Sequence, residues 1–168
     1  MKQQSSKKQI LIFGGSFDPI HYGHISMLQA AIQTIKPDLT IIVPNFISPH
    51  KDKFFITANQ KLDLLNLAFK NWDNLIIEDF ELKNQSASYF INTLNYLIEK
   101  YPDANFNLLI GTDQYFNFSE WKNYKQIISK LNKVLVYPRK LKHIKNKNPF
   151  LKIKYFSKFK FLKYDPID

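Results

Sequence analysis

Short apolar runs alternate along the chain with longer segments in which apolar residues recur every three or four positions. The short runs predict buried strands at residues 9–13, 39–43, 75–78, 106–110 and 133–137. The longer segments predict helices at residues 22–34, 58–70, 89–100, 113–118 and 125–131, with Thr57 and Ser88 as N-caps of the second and third. Weaker strand candidates at residues 152–156 and 160–162 follow a basic loop at residues 141–149.

This alternation of strands and helices predicts an α/β protein. Continuous apolar strands are typical of a parallel sheet covered by helices on both faces, so we expect a Rossmann-like, doubly wound fold of three layers. No repeat and no internal linker interrupt the pattern, which predicts one domain over residues 1–168. Gly14, Pro44 and Gly111 each follow a predicted strand. Their loops should converge at the carboxyl edge of the sheet, where such folds bind ligands.

Composition and charge narrow the function classes. The chain has no cysteine, which excludes disulfides, thiolate zinc sites and cysteine nucleophiles. Its first apolar run is too short for a signal sequence or a membrane span, so we expect a cytoplasmic protein without membrane association. Residues 121–168 hold 14 of the 24 Lys and Arg but only 2 of the 14 Asp and Glu. This basic third could attract a polyanion, although nucleic acid is not the partner we expect.

The segment GGSFDPIHYGH, residues 14–24, holds three of the four glycines and two of the four histidines. Gly14 and Gly15 permit a positive φ and let a ligand approach the main chain. The N–H groups of the turn and of the following helix N-terminus form an anion site. His21 and His24 lie on one helix face, where each imidazole can donate to a phosphate, and Gly23 leaves room for a bulky anion. No acidic residue one turn away completes a metal site, so we predict a phosphate site without a protein-bound metal.

These residues resemble the nucleotidyltransferase superfamily that carries an HxGH motif, here His21-Tyr22-Gly23-His24. The resemblance implies transfer of a nucleotidyl group from ATP or CTP to a phosphate-bearing acceptor, with release of pyrophosphate. It also implies an in-line displacement without a covalent intermediate. Such a reaction requires positioning and charge stabilisation rather than a protein nucleophile.

Further segments are similar to the bacterial nicotinate-nucleotide adenylyltransferase family. They are the opening Gly-Gly-Ser-Phe-Asp-Pro, the loop Pro49-His50-Lys51, the stretch SYFINTL at residues 88–94, Gly111-Thr112-Asp113 followed by Trp121, and Val136-Tyr137-Pro138-Arg139. The similarity spans residues 10–140 in the family's order, and each motif falls at a strand end or a helix start. It implies adenylyl transfer from ATP to nicotinate mononucleotide, which gives deamido-NAD and pyrophosphate in NAD biosynthesis.

The resemblance also implies roles for individual residues. ATP would lie over Gly14, Gly15, Ser16 and Phe17, with the catalytic His21 and His24, and Gly23, at its phosphates and with Gly111 and Asp113 near its ribose. The acceptor would be bound by His50, Lys51, Ser88, Tyr89, Trp121 and Arg139, with Trp121 and the turn at residues 88–89 framing its pyridine ring. Mg²⁺ would be held by triphosphate oxygens and water.

Two positions depart from the family pattern in the predicted acceptor site. Phe90 stands where the family usually has Thr, and Asn92 stands where it usually has Asp. The family's Thr helps to recognise the pyridine carboxylate, and Phe has no hydroxyl. Nicotinate mononucleotide stays the expected acceptor, with nicotinamide mononucleotide less disfavoured than usual. If main-chain N–H groups near Trp121 bind the carboxylate, Phe90 is harmless.

The family's late Ile-Ser-Ser-Thr-x-Ile-Arg motif has no counterpart near the end of this chain, which reads YDPID at residues 164–168. In the family its hydroxyls and Arg bind the triphosphate, and such charge-assisted contacts contribute about 1.5–3 kcal/mol each. Either the chain is truncated at its C-terminal end or the protein lacks part of its triphosphate clamp. We expect truncation.

Two alternatives stay open. Phosphopantetheine adenylyltransferase shares the HxGH turn, but it usually has a single Gly before Thr-Phe-Asp and lacks the Pro-His-Lys and Trp pattern. A nucleotide-binding or nucleic-acid-binding module that has lost catalysis would fit the basic C-terminal third.

Overall fold

The computed structural model describes residues 7–46, 55–84, 89–139 and 157–163. In this part of the chain one sheet contains β1 (Lys8–Gly15), β2 (Leu39–Pro44), β3 (Leu75–Ile77), β4 (Ala104–Gly111), β5 (Lys133–Tyr137) and β6 (Phe159–Phe161). Their order is β3-β2-β1-β4-β5-β6, and every neighbouring pair is parallel. The direction of winding therefore reverses between β1 and β4, as in doubly wound nucleotide-binding folds.

Helices cover both faces of this sheet. They are α1 (Tyr22–Ile35), α2 (Ala58–Ala68), α3 (Phe80–Asn84), α4 (Phe90–Lys100), α5 (Thr112–Asn117), a short 3-10 helix (Phe118–Glu120) and α6 (Tyr124–Lys130). Side chains of α1 and α2 pack with one face of the sheet, and side chains of α4, α5 and α6 pack with the other. This arrangement confirms the predicted three-layer, Rossmann-like α/β fold.

The central strand β1 shows why its sequence is a continuous apolar run. Ile10 and Ile12 belong to the core on one face of the sheet, and Leu11 and Phe13 belong to the core on the other. All four are essentially inaccessible to solvent. Burying each such side chain contributes about 1.5–3 kcal/mol, so a polar residue at any of these positions would be costly.

Helix boundaries agree with the sequence where a cap or a periodic face marks them. The Oγ1 of Thr57 accepts from the N–H of Gln60 at 3.2 Å, which confirms the predicted cap of α2. The cap predicted for α4 is wrong by one residue, because Tyr89 occupies that position and Ser88 lies outside the described residues. Helix α3 has only five residues, too few for its period to show in the sequence. The predicted loop at 141–149 and strand at 152–156 also lie outside the described residues.

The loops that were predicted to converge begin at the same edge of the sheet. Gly15 pairs with Pro44 across β1 and β2, and β1 is flanked on its other side by β4, which ends at Gly111. The carboxyl ends of these three neighbouring strands therefore form one edge at the point where the winding reverses. In the part of the chain described, no helix is long and apolar enough to cross a membrane.

Candidate functional site

In the turn after β1, the residue with a left-handed backbone conformation is Phe17 and not a glycine. Phe17 has φ 40° and a fully buried side chain, whereas none of the four glycines, all of them described, has a positive φ. Gly14 and Gly15 permit a positive φ, but neither adopts one. Gly15 instead provides space, because a Cβ there would lie 3.1 Å from the Phe17 ring. At Gly14 a Cβ would lie 3.8 Å from the nearest atom considered, the Val43 carbonyl oxygen, so the packing itself does not require glycine there.

His21 and His24 form a stacked pair at the start of α1. His21 is the N-cap residue, and the two ring centroids lie 3.8 Å apart with an interplanar angle of 29°. The main-chain N–H of His21 donates to Nδ1 of His24 at 3.3 Å, which places the proton of a neutral His24 ring on Nε2. The Phe17 ring meets the His24 ring edge-on at 5.1 Å. His24 is therefore oriented from two sides, with a defined donor nitrogen.

Gly23 explains how the two imidazoles can stack. A Cβ at this position would lie 3.0 Å from Cε1 of His21, so any other residue would push that ring away. Space for a bulky anion was the predicted role of Gly23, but the packing assigns it to the His21 ring. The first turn of α1 contains no acidic residue, so the positive end of the helix dipole is not neutralised there.

The electrostatic surroundings of His21 favour its neutral form. Burial lowers the pKa of His21 below the ordinary value of about 6.5, and the nearby Arg139 guanidinium lowers that pKa further. The neutral form is therefore favoured at pH 7, and a neutral imidazole can donate one hydrogen bond without carrying a full charge.

Arg139 and Asp113 face each other beyond the ends of β5 and β4. Nη1 of Arg139 lies 3.4 Å from Oδ1 of Asp113, and both side chains are partly exposed. The main-chain N–H of Arg139 donates to Oγ1 of Thr112 at 3.0 Å, and this bond fixes the backbone of Arg139. A Cβ at Gly111 would collide with the Asp113 carboxylate and lie 2.6 Å from Cδ of Arg139. Arg139 was predicted at the acceptor, but its contacts here are with Asp113 and, through charge, with His21.

Helix α2 is tied to the turn after β1 by hydrogen bonds of Asp18, Asn45 and Lys61, none of which was among the predicted site residues. The Asp18 carboxylate accepts from the N–H groups of Phe55 and Ile56 at 3.1–3.2 Å. The buried Lys61 donates to the Asn45 carbonyl at 2.9 Å, and the Asn45 N–H donates to the Gly15 carbonyl at 2.9 Å. Asp18 lies inside the glycine–histidine motif and could have been found there. Lys61 has no such signal, because a lysine in a helix is ordinarily exposed.

A second group of side chains, here called the aromatic group, consists of Tyr89, Phe90, Phe118, Trp121 and Lys122. Trp121 stacks on the buried Phe118 at 4.9 Å, and Phe90 meets the indole edge-on at 5.6 Å. Nζ of Lys122 lies 4.2 Å from the centroid of the Tyr89 ring. The start of α4 and the 3-10 turn before α6 thus bring together two predicted acceptor residues, Tyr89 and Trp121.

The structure describes only some of the remaining predicted site residues. His50, Lys51 and Ser88 lie outside the described residues. Ser16 is half-buried beside Gly15 in the turn. Because the Phe17 ring is fully buried, a contact of this residue with ATP would be made by its main chain.

The described residues contain no group of three or more His, Asp or Glu side chains that could hold a metal ion. The donors at the sheet edge are two imidazoles and one carboxylate that faces a guanidinium. Mg²⁺ prefers a shell of oxygen ligands, which two imidazoles and one carboxylate do not supply.

Known proteins similar to this chain point to one family. Residues 12–158 match the family described as Cytidylyltransferase-like. Two curated relatives carry the name "Probable nicotinate-nucleotide adenylyltransferase". The Aquifex aeolicus protein is 37% identical over 129 residues, which cover 77% of this chain and 76% of the relative. The Leptospira borgpetersenii protein is 38% identical over 155 residues, which cover 90% of this chain and 76% of the relative.

A solved structure is similar in fold over nearly the whole chain. It is the Plasmodium falciparum nicotinic acid mononucleotide adenylyltransferase complexed with NaAD, with a TM-score of 0.74 and 20% identity. The superposition covers 96% of this chain and 77% of that one. At this identity the likeness speaks for the fold alone.

Proposed function

The chain belongs to the nicotinate-nucleotide adenylyltransferase family, and from that premise we propose that it transfers the adenylyl group of ATP to nicotinate mononucleotide. A phosphate oxygen of the acceptor attacks the α-phosphorus of ATP. The bond from the α-phosphorus to the bridging oxygen breaks, and pyrophosphate leaves. The products are deamido-NAD and pyrophosphate. No protein nucleophile is needed, in keeping with a chain that has no cysteine.

The observation that carries this proposal is the stacked histidine pair at the point where the sheet reverses its winding. His24 has Nε2 as its donor, and burial and the Arg139 guanidinium lower the pKa of His21. Both rings stand at the N-terminus of α1, whose first-turn N–H groups favour an anion. Two imidazoles and a helix terminus can hold the triphosphate and stabilise the charge that builds up as pyrophosphate leaves.

Gly14, Gly15, Ser16 and the main chain of Phe17 would support the phosphates from the turn below them. Gly14 fits this role because the protein's own packing does not require a glycine there, whereas a ligand close to the main chain would. Gly23 serves indirectly by admitting the His21 ring.

Asp113 would accept from a ribose hydroxyl of ATP, beside Gly111. Its carboxylate now faces Arg139, and this guanidinium also lowers the pKa of His21. We therefore assign Arg139 to the triphosphate charge rather than to the acceptor ring. Mg²⁺ enters as part of MgATP, bound by phosphate oxygens and water.

The aromatic group would receive the pyridine ring of the acceptor. Trp121 is half-buried, and its indole is fixed by Phe118 behind it and Phe90 at its edge. A planar heteroaromatic ring can stack on such a fixed indole. Tyr89 stands at the same helix start, while His50, Lys51 and Ser88 are assigned to the acceptor by the family pattern alone.

A panel of acceptors tests the proposal. The protein is incubated with MgATP and, in separate reactions, nicotinate mononucleotide, nicotinamide mononucleotide or phosphopantetheine, and pyrophosphate release is measured. We expect the highest kcat/KM with nicotinate mononucleotide. Turnover with phosphopantetheine alone would instead identify the related adenylyltransferase, and ATP binding without turnover on any acceptor would indicate a binding module.

A further inference from the structure

Lys122 places a cation beside the surface assigned to the pyridine ring. Its Nζ lies 4.2 Å from the Tyr89 ring centroid, a distance at which an ammonium is attracted to the ring face. Lys122 directly follows Trp121 in the chain, and Tyr89 directly precedes Phe90, whose ring meets the indole at 5.6 Å. The ammonium is therefore tethered at the aromatic group rather than extending freely into solvent.

Among the described residues, two groups beside Trp121 that could have bound a pyridine carboxylate do not offer it a free donor. Phe90 has no hydroxyl. The main-chain N–H of Trp121 itself is committed to the Phe118 carbonyl at 3.1 Å. Nicotinate differs from nicotinamide by a negative charge on this group, and a nearby cation distinguishes the two directly.

We propose that Lys122 is a specificity-determining residue, whose ammonium pairs with the carboxylate of the acceptor's pyridine ring and so favours the acid over the carboxamide. This inference rests on the proposed function, since it assumes that the aromatic group binds the pyridine ring. It assigns Lys122 a direct electrostatic role, in place of a role limited to packing against Tyr89.

The size of the effect follows from the exposure of Lys122. The residue is exposed, and solvent screens ion pairs of exposed side chains, which contribute at most about 1 kcal/mol. That limit corresponds to roughly a fivefold change in an equilibrium constant. Discrimination by Lys122 should therefore be modest and sensitive to salt.

Steady-state kinetics with both mononucleotides test this inference. Lys122→Met removes the charge and keeps an unbranched side chain, and Lys122→Arg keeps the charge. Lys125→Met is the matched control, because Lys125 is an exposed lysine three residues further along the same segment. We expect Lys122→Met to lower kcat/KM for nicotinate mononucleotide roughly three- to fivefold, mainly through KM. The value for nicotinamide mononucleotide should stay within about twofold.

The remaining variants and the salt dependence test whether the charge of Lys122 causes the preference for nicotinate mononucleotide. Lys122→Arg should keep most of the preference, and Lys125→Met should leave it unchanged. Raising ionic strength should increase KM for nicotinate mononucleotide more in the wild type than in Lys122→Met. Equal losses for both mononucleotides, or an unchanged ratio, would overturn the inference while leaving the proposed function intact. A wild-type protein without turnover on either mononucleotide would overturn both.

Discussion

At the scale of single residues, the site depends on how three glycines place the side chains next to them. Gly15 admits the Phe17 ring, Gly23 admits the His21 ring, and Gly111 admits the Asp113–Arg139 pair. The sequence showed that glycine was concentrated in one turn, and it led to a phosphate site there. It did not show why glycine is needed at each position. The side chain that a Cβ would contact is placed by tertiary packing, which a local sequence pattern does not contain.

The histidine pair could be predicted more fully than the residues that orient it. A spacing of three along a helix is enough to place His21 and His24 on one face, and they are stacked there. The partner that lowers the pKa of His21, Arg139, lies 118 positions later in the sequence. Only the pairing of β4 with β1 and β5 brings it close.

Replacing Arg139 should raise the pKa of His21. Burial is the larger cause of the lowered pKa and the guanidinium the smaller, so Arg139→Met should move the pKa upward but leave it below about 6.5. An NMR titration of the ring protons measures the midpoint, with Lys125→Met as the control that should not move it. A midpoint that is unchanged or lower in Arg139→Met would show that Arg139 does not act on this ring.

The lowered pKa of His21 also predicts how the stability of the protein changes with pH. Between the folded-state pKa and the unfolded value of about 6.5, the unfolded chain binds more protons at this histidine than the folded chain does. The contribution of His21 to the free energy of unfolding is therefore fully present above about pH 6.5. It is lost as the pH falls from there through the folded-state pKa. In Arg139→Met this loss should be smaller.

At the scale of the elements, α2 is held in place by hydrogen bonds to the turn after β1. Its amphipathic face and its Thr57 cap could be predicted from the sequence, and both are present. The tethers themselves could not be predicted. Asp18 bonds to residues 37 and 38 positions away, and Lys61 bonds to a carbonyl at the end of another strand. Such contacts become visible only once β1 and β2 are paired.

Removing the Asp18 carboxylate should release this tether. Asp18→Ala leaves the N–H groups of Phe55 and Ile56 without their acceptor, and we expect a loss of about 1–3 kcal/mol in the free energy of unfolding. Urea denaturation measures it. Asp63→Ala is the control, because Asp63 is exposed on α2, and it should change the free energy of unfolding by less than about 0.5 kcal/mol. Equal stability of the two variants would contradict the tether.

At the scale of the whole molecule, the order of the strands determines where the chemistry is placed. The apolar runs predicted a parallel sheet, and the residues that follow its strands, Gly14, Pro44 and Gly111, predicted which loops would meet at its edge. Both follow from the arrangement β3-β2-β1-β4-β5-β6. We propose that this edge is divided into a phosphate side, with His21, His24 and Arg139, and an aromatic side, with Trp121 and Lys122. The sequence assigned Arg139 to the acceptor, whereas its guanidinium faces Asp113 in the structure. The motif gives the end of a strand but not the direction of the side chain.

The central claim is that the protein transfers the adenylyl group of ATP to nicotinate mononucleotide and that the histidine pair stabilises this transfer. The most direct measurement follows ATP, Mg²⁺ and this acceptor by ³¹P NMR with wild-type protein, with His24→Ala and with Gln29→Ala, an exposed residue of the same helix, as the control. We predict deamido-NAD and pyrophosphate in equal amounts, and a kcat in His24→Ala that is lower by roughly 100-fold or more, with little change in acceptor KM. Gln29→Ala should match the wild type. Formation of ADP and phosphate, or an unchanged kcat in His24→Ala, would contradict the claim.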